Sequence, residues 1–330
     1  MSRLSLTLAC GPYDRMAAIY DGTVRVESVD LRCIPIEQPM EVFSRMLKYQ
    51  EFDIAEMSLT HCFTLRAANK ANFVTLPVFP SRMFRHGFIF INKRSGINDP
   101  KDLKGKRIGV QGYQMTAAVW IRGILHREYG VSFEGVEWIE GGVNERGVAG
   151  GAATSMRPNQ KLNIRYIGND KTLSGMLAAG ELDAIIGAVR PDSLSTSSDV
   201  ARLFPDYHKA EREYFQRTGV FPGMHALVIR EDVYRANRWL ATSLYKACNQ
   251  AKAISLRQTN FTGSLRFMLP WLTESLEEID DLFGGDPWPY GLEANRKMLD
   301  AFNLALVDDG YLSEPMKLED VFVPVEGYST

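Results

Sequence analysis

Two arginines and a histidine stand together in the short segment Ser81-Arg82-Met83-Phe84-Arg85-His86. A guanidinium presents a planar set of donors that matches a carboxylate bidentately, so a pair of arginines suits a di-acid. The structural alternative is that one arginine faces solvent and the other joins parts of the chain through an acidic side chain. The segment predicts a site for a small anion.

Histidines, carboxylates and hydrogen-bonding side chains follow several predicted strands. His86 and His225 both fall where the chain is expected to cross between lobes, and either could act as acid, base or carboxylate donor. Trp288 could stack on an aromatic ligand or anchor its own loop. The other residues expected to line the ligand are Tyr13, Asp14, Arg15, Glu56, Ser58, Tyr113, Gln114, Thr116 and Arg190.

The loop from Gln111 to Thr116 passes from a predicted strand into a predicted helix. Unpaired backbone N–H groups at such a helix start bind carboxylates or phosphates. The alternative, which is compatible with binding, is that Gln114 or Thr116 only caps the helix. Neither a phosphate-binding P-loop nor a dinucleotide-binding glycine pattern is present.

Composition narrows the class of partner. A formal net charge of −2 gives no field that would collect nucleic acid or an anionic membrane, so a small molecule is the expected partner. Four scattered cysteines and five histidines show no zinc or disulfide spacing. The N-terminus lacks a secretory signal pattern, which predicts a cytoplasmic protein. The protein could form a homo-oligomer, but the sequence does not reveal its oligomeric state.

Strand and helix patterns alternate along most of the chain. The first part has predicted strands over 4–9, 29–36 and 53–57, and helices over 40–49 and 59–69. Later strands are predicted over 107–110, 136–139, 164–167, 183–188 and 224–229, with helices over 115–129 and 173–180. Helical patterns continue over 233–256, 274–283 and 292–307.

This alternation indicates parallel sheets covered by helices, and 330 residues favour two lobes over one. We expect the last helices to pack on the first lobe. Residues 89–222 then form a second lobe, lobe II, that is inserted into the first. Lobe I then consists of 1–88 and 223–330, with crossings near 85–92 and 190–225. This is the α/β architecture of the type II periplasmic-binding-protein fold, in which ligand lies between the lobes.

Short blocks along nearly the whole chain resemble the 4,5-dihydroxyphthalate decarboxylase family, which has a periplasmic-binding-protein-like fold. They include Leu8-Ala9-Cys10, Tyr13-Asp14-Arg15, Glu51-Phe52-Asp53, Glu56-Met57-Ser58-Leu59, Pro77 to His86, Asp102 to Arg107, Tyr113-Gln114-Met115-Thr116, Glu128-Tyr129-Gly130-Val131, Thr218 to Pro222 with His225, and Trp288-Pro289-Tyr290-Gly291. Departures from the family pattern lie in 141–163, at Gly187 to Pro191 and at Gly87.

The resemblance implies loss of CO2 from 4,5-dihydroxyphthalate to give 3,4-dihydroxybenzoate, in phthalate-type aromatic degradation. No organic cofactor is then needed, and a divalent metal ion is left open. Two alternatives are a solute-binding protein for an aromatic carboxylate and a lyase of the same family that acts on another hydroxylated aromatic acid.

The hypothesis for the chemistry assigns Arg82 and Arg85 to the retained carboxylate. His86 is the first candidate for the proton donor at the ring carbon, and His225 is the second. Asp14 or Glu56 would take the phenolic proton, and Tyr113, Gln114, Ser58 and Arg190 would orient the ring.

Overall fold

The computed structural model describes residues 3–147, 158–159 and 161–325. The chain divides into two compact units. Unit 1 contains Met1–Arg82, Gly223–Lys297 and Met316–Thr330, and unit 2 contains Met83–Pro222 and Met298–Pro315. Of the departing stretch 141–163, residues 148–157 and 160 lie outside the described residues.

Within those described residues, the chain forms twelve strands and twelve α-helices. The strands are β1 (Leu4–Cys10), β2 (Val29–Pro35), β3 (Ile54–Ser58), β4 (Phe73–Thr75), β5 (Ser81–Arg82), β6 (Ile89–Asn92), β7 (Arg107–Val110), β8 (Glu137–Glu140), β9 (Asn163–Tyr166), β10 (Ala184–Ile186), β11 (Val200–Arg202) and β12 (Gly223–Arg230). The helices are α1 (Asp14–Tyr20), α2 (Pro39–Tyr49), α3 (Leu59–Ala67), α4 (Thr116–Tyr129), α5 (Leu173–Ala179), α6 (Ser193–Thr196), α7 (Tyr207–Thr218), α8 (Glu231–Ala236), α9 (Trp239–Thr259), α10 (Leu272–Phe283), α11 (Arg296–Asp308) and α12 (Leu318–Val321). In this part of the chain, no helix has the length and apolar content needed to cross a membrane.

Unit 1 is built on a sheet with the order β2-β1-β3-β12-β4, and β5 pairs with β12. Strands β1, β2 and β3 run parallel, whereas β12 runs antiparallel to β3, β4 and β5. Every residue of β3 is buried, as expected for a strand covered on both faces. Helices α1 and α9 share the core with β1, where Leu8, Met16 and Leu244 are fully buried.

Unit 2 is built on a second sheet with the order β11-β6-β10-β7-β8-β9. Strands β10, β7, β8 and β9 run parallel, and β6 is antiparallel to both β10 and β11. Helix α4 buries ten of its fourteen residues, from Thr116 to Leu125. Gly130 then ends the helix in the left-handed region, with φ 66°.

Helix α11 belongs to unit 2 from Met298 onward, whereas the sequence placed it on the first lobe. A Cβ atom on Gly123 of α4 would lie 2.5 Å from the Cβ atom of Ala305 in α11, so only glycine permits this close approach. The rings of Trp120 and Phe302 also pack at 5.1 Å. The unit boundary differs as well, because residues 83–88 group with unit 2 and the chain crosses again at 297–298 and 315–316.

The predicted helix over 233–256 is two helices. Helix α8 ends at Ala236, and Asn237 has a non-helical backbone with φ −142° and ψ 63°. Helix α9 then begins at Trp239. Because the apolar spacing continues through this break, the sequence pattern alone predicts a single helix.

A buried ion pair joins α4 to the residue after α11. Arg122 donates from Nε to Asp309 Oδ1 at 2.9 Å and from Nη2 to Oδ2 at 2.5 Å, and both residues are buried. The guanidinium also lies 3.8 Å from the centre of the Tyr113 ring. Removing one partner would leave an uncompensated buried charge.

Asp309→Ala is therefore expected to lower the free energy of unfolding by about 3–5 kcal/mol, measured by urea denaturation. The neighbouring Asp308 supplies the control because its pair with Arg127, at 2.6 Å, is partly exposed. Asp308→Ala is expected to cost about 0–1 kcal/mol. Equal losses in the two variants would contradict a specific role for the buried pair.

Candidate active site

A glutamate and a histidine pair across two antiparallel strands of unit 1. His225 Nδ1 in β12 lies 2.5 Å from Glu56 Oε1 in β3. The register sets His225 opposite Ser58, and Glu56 lies two residues before Ser58 on the same face of β3. A diagonal cross-strand pair of long side chains is within contact distance, so the strand pairing itself creates this dyad.

Three further donors surround the carboxylate of Glu56. The Gly11 backbone N–H donates to Oε2 at 2.9 Å, the Cys10 thiol donates to Oε2 at 3.4 Å, and the Tyr13 hydroxyl donates to Oε1 at 2.8 Å. Burial by itself would raise the pKa of Glu56, but His225 and these hydrogen bonds outweigh it and lower the pKa below its ordinary value. Glu56 is therefore an ionised acceptor.

His225 is oriented by this carboxylate and remains accessible. Because an ionised carboxylate only accepts, Nδ1 of His225 must be the donor in the pair. The edge of the Phe43 ring packs against the imidazole at 4.9 Å. The His225 side chain is 16% exposed. Because Nδ1 is occupied by Glu56, Nε2 is the nitrogen that a ligand can reach. This arrangement can hold or deliver a proton at Nε2.

The turn from β1 to α1 fixes the tyrosine of the cluster. A Cβ atom on Gly11 would lie 2.7 Å from the Tyr13 ring, so glycine lets the ring fold back over the backbone. The Tyr20 hydroxyl donates to the Gly11 carbonyl at 2.6 Å and steadies the turn. Burial and the charge of Glu56 raise the pKa of Tyr13, which keeps its hydroxyl protonated as a donor.

Arg15 lies between two aromatic faces beside this cluster. Its guanidinium carbon is 4.3 Å from the centre of the Tyr13 ring and 4.5 Å from that of Trp288. Nε donates to the Pro80 carbonyl at 2.5 Å, and Nη1 pairs with Asp14 at 2.9 Å. A guanidinium held in this way is preorganised to bind a carboxylate with its remaining donors.

Arg82 and Arg85, which the sequence assigns to the anion, are both buried. In unit 1, Arg82 Nη2 donates to the Pro289 carbonyl at 2.9 Å and to the side chain of Asn295. In unit 2, the Arg85 guanidinium lies 5.1 Å from the centre of the Phe88 ring. Burial lowers the pKa of each arginine to about 10. Both arginines are buried, so neither is the solvent-facing arginine of the structural alternative raised for the segment.

His86 lies in an aromatic environment in unit 2. Its ring packs at 5.8, 5.3 and 5.3 Å from those of Tyr129, Phe204 and Tyr214. Neither ring nitrogen has a hydrogen-bond partner among the described residues. Burial lowers the pKa of His86 to about 4, so the ring is neutral at physiological pH.

The other predicted ligand residues differ in their surroundings. Asp14, half-buried, accepts from Ser255 Oγ at 3.0 Å, and Trp288 Nε1 donates to the Phe79 carbonyl at 3.1 Å. In unit 2, Tyr113 in the loop before α4 and Thr116 at the start of α4 are buried, whereas Arg190 is exposed and donates to Ser195.

Gln114, in the loop before α4, is buried with no described partner for either amide atom. Buried polar groups are normally hydrogen-bonded, so a water molecule or a ligand would satisfy this amide.

Ser81 begins the predicted anion-binding segment without a role of its own, and in the structure it contributes to the surroundings of the dyad. Ser81 of β5 is the register partner of His225 on one side of β12, and Ser58 of β3 is its partner on the other side. Ser81 also hydrogen-bonds to Tyr13. Among residues 3–147, 158–159 and 161–325, no three His, Cys, Asp or Glu side chains are grouped so as to hold a metal ion. Independence from metals stays a prediction.

The fold is that of periplasmic binding proteins. Over 98% of this chain and 92% of the other, the structure superposes with a TM-score of 0.56 and 12% identity on a putative sulfonate ABC transporter's periplasmic sulfonate-binding protein from Methylobacillus flagellatus. The prediction of two α/β units with a periplasmic-binding-protein-like fold is confirmed. At this identity the likeness concerns the fold alone.

Sequence relatives identify the family. Residues 84–156 match the family described as NMT1/THI5 like. The chain is 35% identical over 325 residues, 98% of both chains, to 4,5-dihydroxyphthalate decarboxylase of Comamonas testosteroni. It is 36% identical over 217 residues, 66% of this chain and 83% of the relative, to the enzyme of that name in Pseudomonas putida. The chain therefore belongs to the 4,5-dihydroxyphthalate decarboxylase family, whose members are carboxy-lyases.

Proposed function

We propose that this protein converts 4,5-dihydroxyphthalate into 3,4-dihydroxybenzoate and CO2 without an oxidant, and that Glu56 and His225 carry the proton transfer. The observation that carries the proposal is the 2.5 Å contact between His225 Nδ1 and a buried, ionised Glu56. The end-to-end similarity to relatives named for this reaction supports the choice of substrate.

The chemistry requires a proton at the carbon that loses its carboxylate. Direct loss of CO2 would leave an aryl carbanion, so protonation of that ring carbon comes first. The hydroxyl para to the carboxylate supplies electron density, and a C–H bond forms. The C–C bond to the carboxylate then breaks, its electron pair restores the aromatic ring, and CO2 leaves. Each turnover of the dianion consumes one proton, and the phenolic proton is returned.

His225 is the proposed proton donor in place of His86. Glu56 stabilises the imidazolium form through Nδ1, while Nε2 presents the proton to the ring carbon. Glu56 has both oxygens filled by other donors, so it is poorly arranged to take the phenolic proton itself. Asp14 is the remaining predicted base. Its Oδ1 accepts from Arg15 and its Oδ2 accepts from Ser255, but its side chain is 37% exposed, whereas that of Glu56 is buried.

Arg15 is the proposed partner of the retained carboxylate, in place of Arg82. Its stacking between Tyr13 and Trp288 fixes the guanidinium before substrate arrives, which lowers the entropy cost of binding. The departing carboxylate needs weaker contacts because a strong ion pair would oppose its loss as neutral CO2. The apolar edge of Phe43 next to His225 is suited to that role. Substrate contacts by Gln114, Tyr113, Thr116 and Arg190 stay predictions.

Arg15→Met is expected to raise KM about ten- to hundredfold, with a smaller change in kcat, because one charge-assisted interaction is lost. Arg15→Lys keeps the charge without the planar donor set and should recover only part of the loss. Arg45 provides a matched control because it also stacks on a ring, that of Phe52 at 4.8 Å, and pairs with Glu51. An unchanged KM in Arg15→Met would remove this residue from the binding site.

The proposed reaction is tested by incubating the purified protein with 4,5-dihydroxyphthalate and following CO2 and 3,4-dihydroxybenzoate by chromatography. Formation of both in equal amounts is the expected result. Tight binding without turnover would instead indicate a solute-binding protein. This alternative is compatible with the fold, which the sulfonate-binding protein shares. Turnover of another hydroxylated aromatic acid alone would indicate a lyase of different specificity. Roles in phthalate degradation and in the cytoplasm stay predictions.

A further inference from the structure

A lysine is buried on the inner face of α9 in unit 1. Lys252 is 6% exposed, and its helix neighbours Cys248 and Ala251 are fully buried. The Lys252 ammonium lies 4.6 Å from the centre of the Tyr290 ring. Burial lowers the pKa of Lys252, and a pair with Asp286 opposes this shift. Because a buried ammonium group is costly unless it is hydrogen-bonded, its partners indicate what it holds in place.

Those partners lie in the loop 286–291, which follows α10. Lys252 Nζ donates to the side chain of Asp286 and to the backbone carbonyl of Trp288, the latter at 2.8 Å. Asp286 Oδ1 in turn accepts from the backbone N–H of Trp288 at 2.8 Å. The ion pair therefore holds the backbone of Trp288 at both its N–H and its carbonyl group, and fixes it to α9.

Trp288 forms one of the two aromatic faces that enclose Arg15. The guanidinium carbon of Arg15 is 4.5 Å from the centre of the Trp288 ring. The indole Nε1 donates to the Phe79 carbonyl at 3.1 Å, and Arg15 Nε donates to the adjacent Pro80 carbonyl at 2.5 Å. Consecutive carbonyl groups thus hold the indole and the guanidinium side by side. A shift of the Trp288 backbone would remove this face from Arg15.

The same face of α9 also reaches Arg15 from the other side. Ser255 follows Lys252 by three positions, so the two side chains are neighbours on the helix surface. Ser255 Oγ donates to Asp14 Oδ2 at 3.0 Å, and Asp14 Oδ1 accepts from Arg15 Nη1 at 2.9 Å. One turn of α9 therefore supports both Trp288 and Asp14, the two neighbours that orient the guanidinium.

We propose that Lys252 is a positioning residue for the binding of the retained carboxylate. It acts on Arg15 through Asp286 and Trp288, without touching the substrate itself. The inference rests on the proposed function, in which Arg15 binds that carboxylate. A guanidinium that is fixed in advance loses less conformational entropy when the ligand arrives. Loss of the lysine should therefore weaken binding, while the Glu56–His225 pair keeps its own contacts.

The test is Lys252→Met, which keeps a long side chain and removes the charge. The side chain of Asp286 is 37% exposed, so the substitution leaves this carboxylate in contact with water and the protein should fold. We expect KM for 4,5-dihydroxyphthalate to rise about tenfold, with kcat within about twofold of the wild type. Lys252→Arg, which restores a charged donor, should recover most of the loss.

Two comparisons show whether the effect passes through Arg15. In an Arg15→Met protein, adding Lys252→Met should raise KM no further, because residues that act through one another are not additive. Lys106→Met is the matched control, since Lys106 also donates from Nζ to a backbone carbonyl, that of Ser95 at 2.7 Å, but belongs to unit 2. It should leave KM unchanged. A wild-type KM in Lys252→Met, or a full further increase in the Arg15→Met protein, would overturn the inference.

The fluorescence of Trp288 gives a readout that needs no substrate. It is obtained as the difference between a protein and its Trp288→Phe variant, with circular dichroism to confirm folding. Lys252→Met should shift this emission to longer wavelength and make it easier to quench with acrylamide. Emission and quenching identical to those of the wild type would also overturn the inference. A wild type that forms no product would instead count against the proposed reaction, and the Trp288 emission would still decide whether Lys252 holds the loop.

Discussion

Replacing His225 with Gln is expected to lower kcat by about 10²- to 10⁴-fold with a much smaller change in KM. Glutamine fills a similar volume and can still donate to Glu56, but it cannot carry a proton to the ring carbon. The loss therefore falls on the chemical step. Steady-state kinetics on 4,5-dihydroxyphthalate, with circular dichroism to confirm folding, measure this effect.

His86→Gln is the comparison that separates the two histidines. The His86 ring is buried among aromatic rings, without a described hydrogen-bond partner, and its pKa is about 4. A neutral imidazole in this environment is poorly suited to donate a proton at neutral pH. We expect His86→Gln to keep kcat within about tenfold of the wild type, below the range typical of a lost general acid. Loss of turnover here, with retention in His225→Gln, would reverse the assignment.

Glu56→Gln is expected to have an effect of similar size, about 10²- to 10⁴-fold in kcat. The amide carries no charge to stabilise the imidazolium, and it can turn an N–H toward Nδ1 and impose the wrong tautomer on His225. Tyr13→Phe is expected to lower kcat less than Glu56→Gln does, because it removes one neutral donor to Glu56 and leaves the pair with His225. A Glu56→Gln variant as active as the wild type would exclude the dyad.

The pH dependence of stability provides a second measurement on Glu56. Its pKa in the folded protein lies below the ordinary value of 4.5. A carboxyl group of this kind stabilises the fold above its unfolded pKa, and the contribution is lost as the pH falls through the folded value. The stability difference between wild type and Glu56→Gln should thus be largest at neutral pH and shrink below pH 4.5. Urea denaturation at several pH values measures it.

Local patterns predicted the strands of the dyad, but not their pairing. Alternation and apolar runs predict β3 and β12 within one or two residues, since these signals depend on neighbouring side chains. The antiparallel register that brings Glu56 to His225 joins residues 169 positions apart. No short window of sequence contains that information. Once the register is known, the alternation of side chains accounts for the contact.

The arginines show a different limit of sequence reasoning. Residue type indicates that Arg82 can bind an anion, but one of the groups that accept from its guanidinium, the side chain of Asn295, is 213 positions away. The environment of His86 is equally hidden from local sequence, because the rings that pack against it, Phe204 and Tyr214, come from a distant part of the chain. Arg15 was predicted as a ligand residue, yet its stacking against Trp288 also depends on distant packing. Burial decides these roles, and burial is a property of the fold.

The most direct test of the central claim is a double-mutant cycle on the dyad. Wild type, Glu56→Gln, His225→Gln and the double variant are compared for CO2 release and 3,4-dihydroxybenzoate formation from 4,5-dihydroxyphthalate. Groups that act as one unit give strongly non-additive losses. We predict that the wild type turns over 4,5-dihydroxyphthalate. We also predict that the kcat of the double variant is no lower than that of the slower single variant. Losses that multiply, or a wild type that forms no product, would contradict the account.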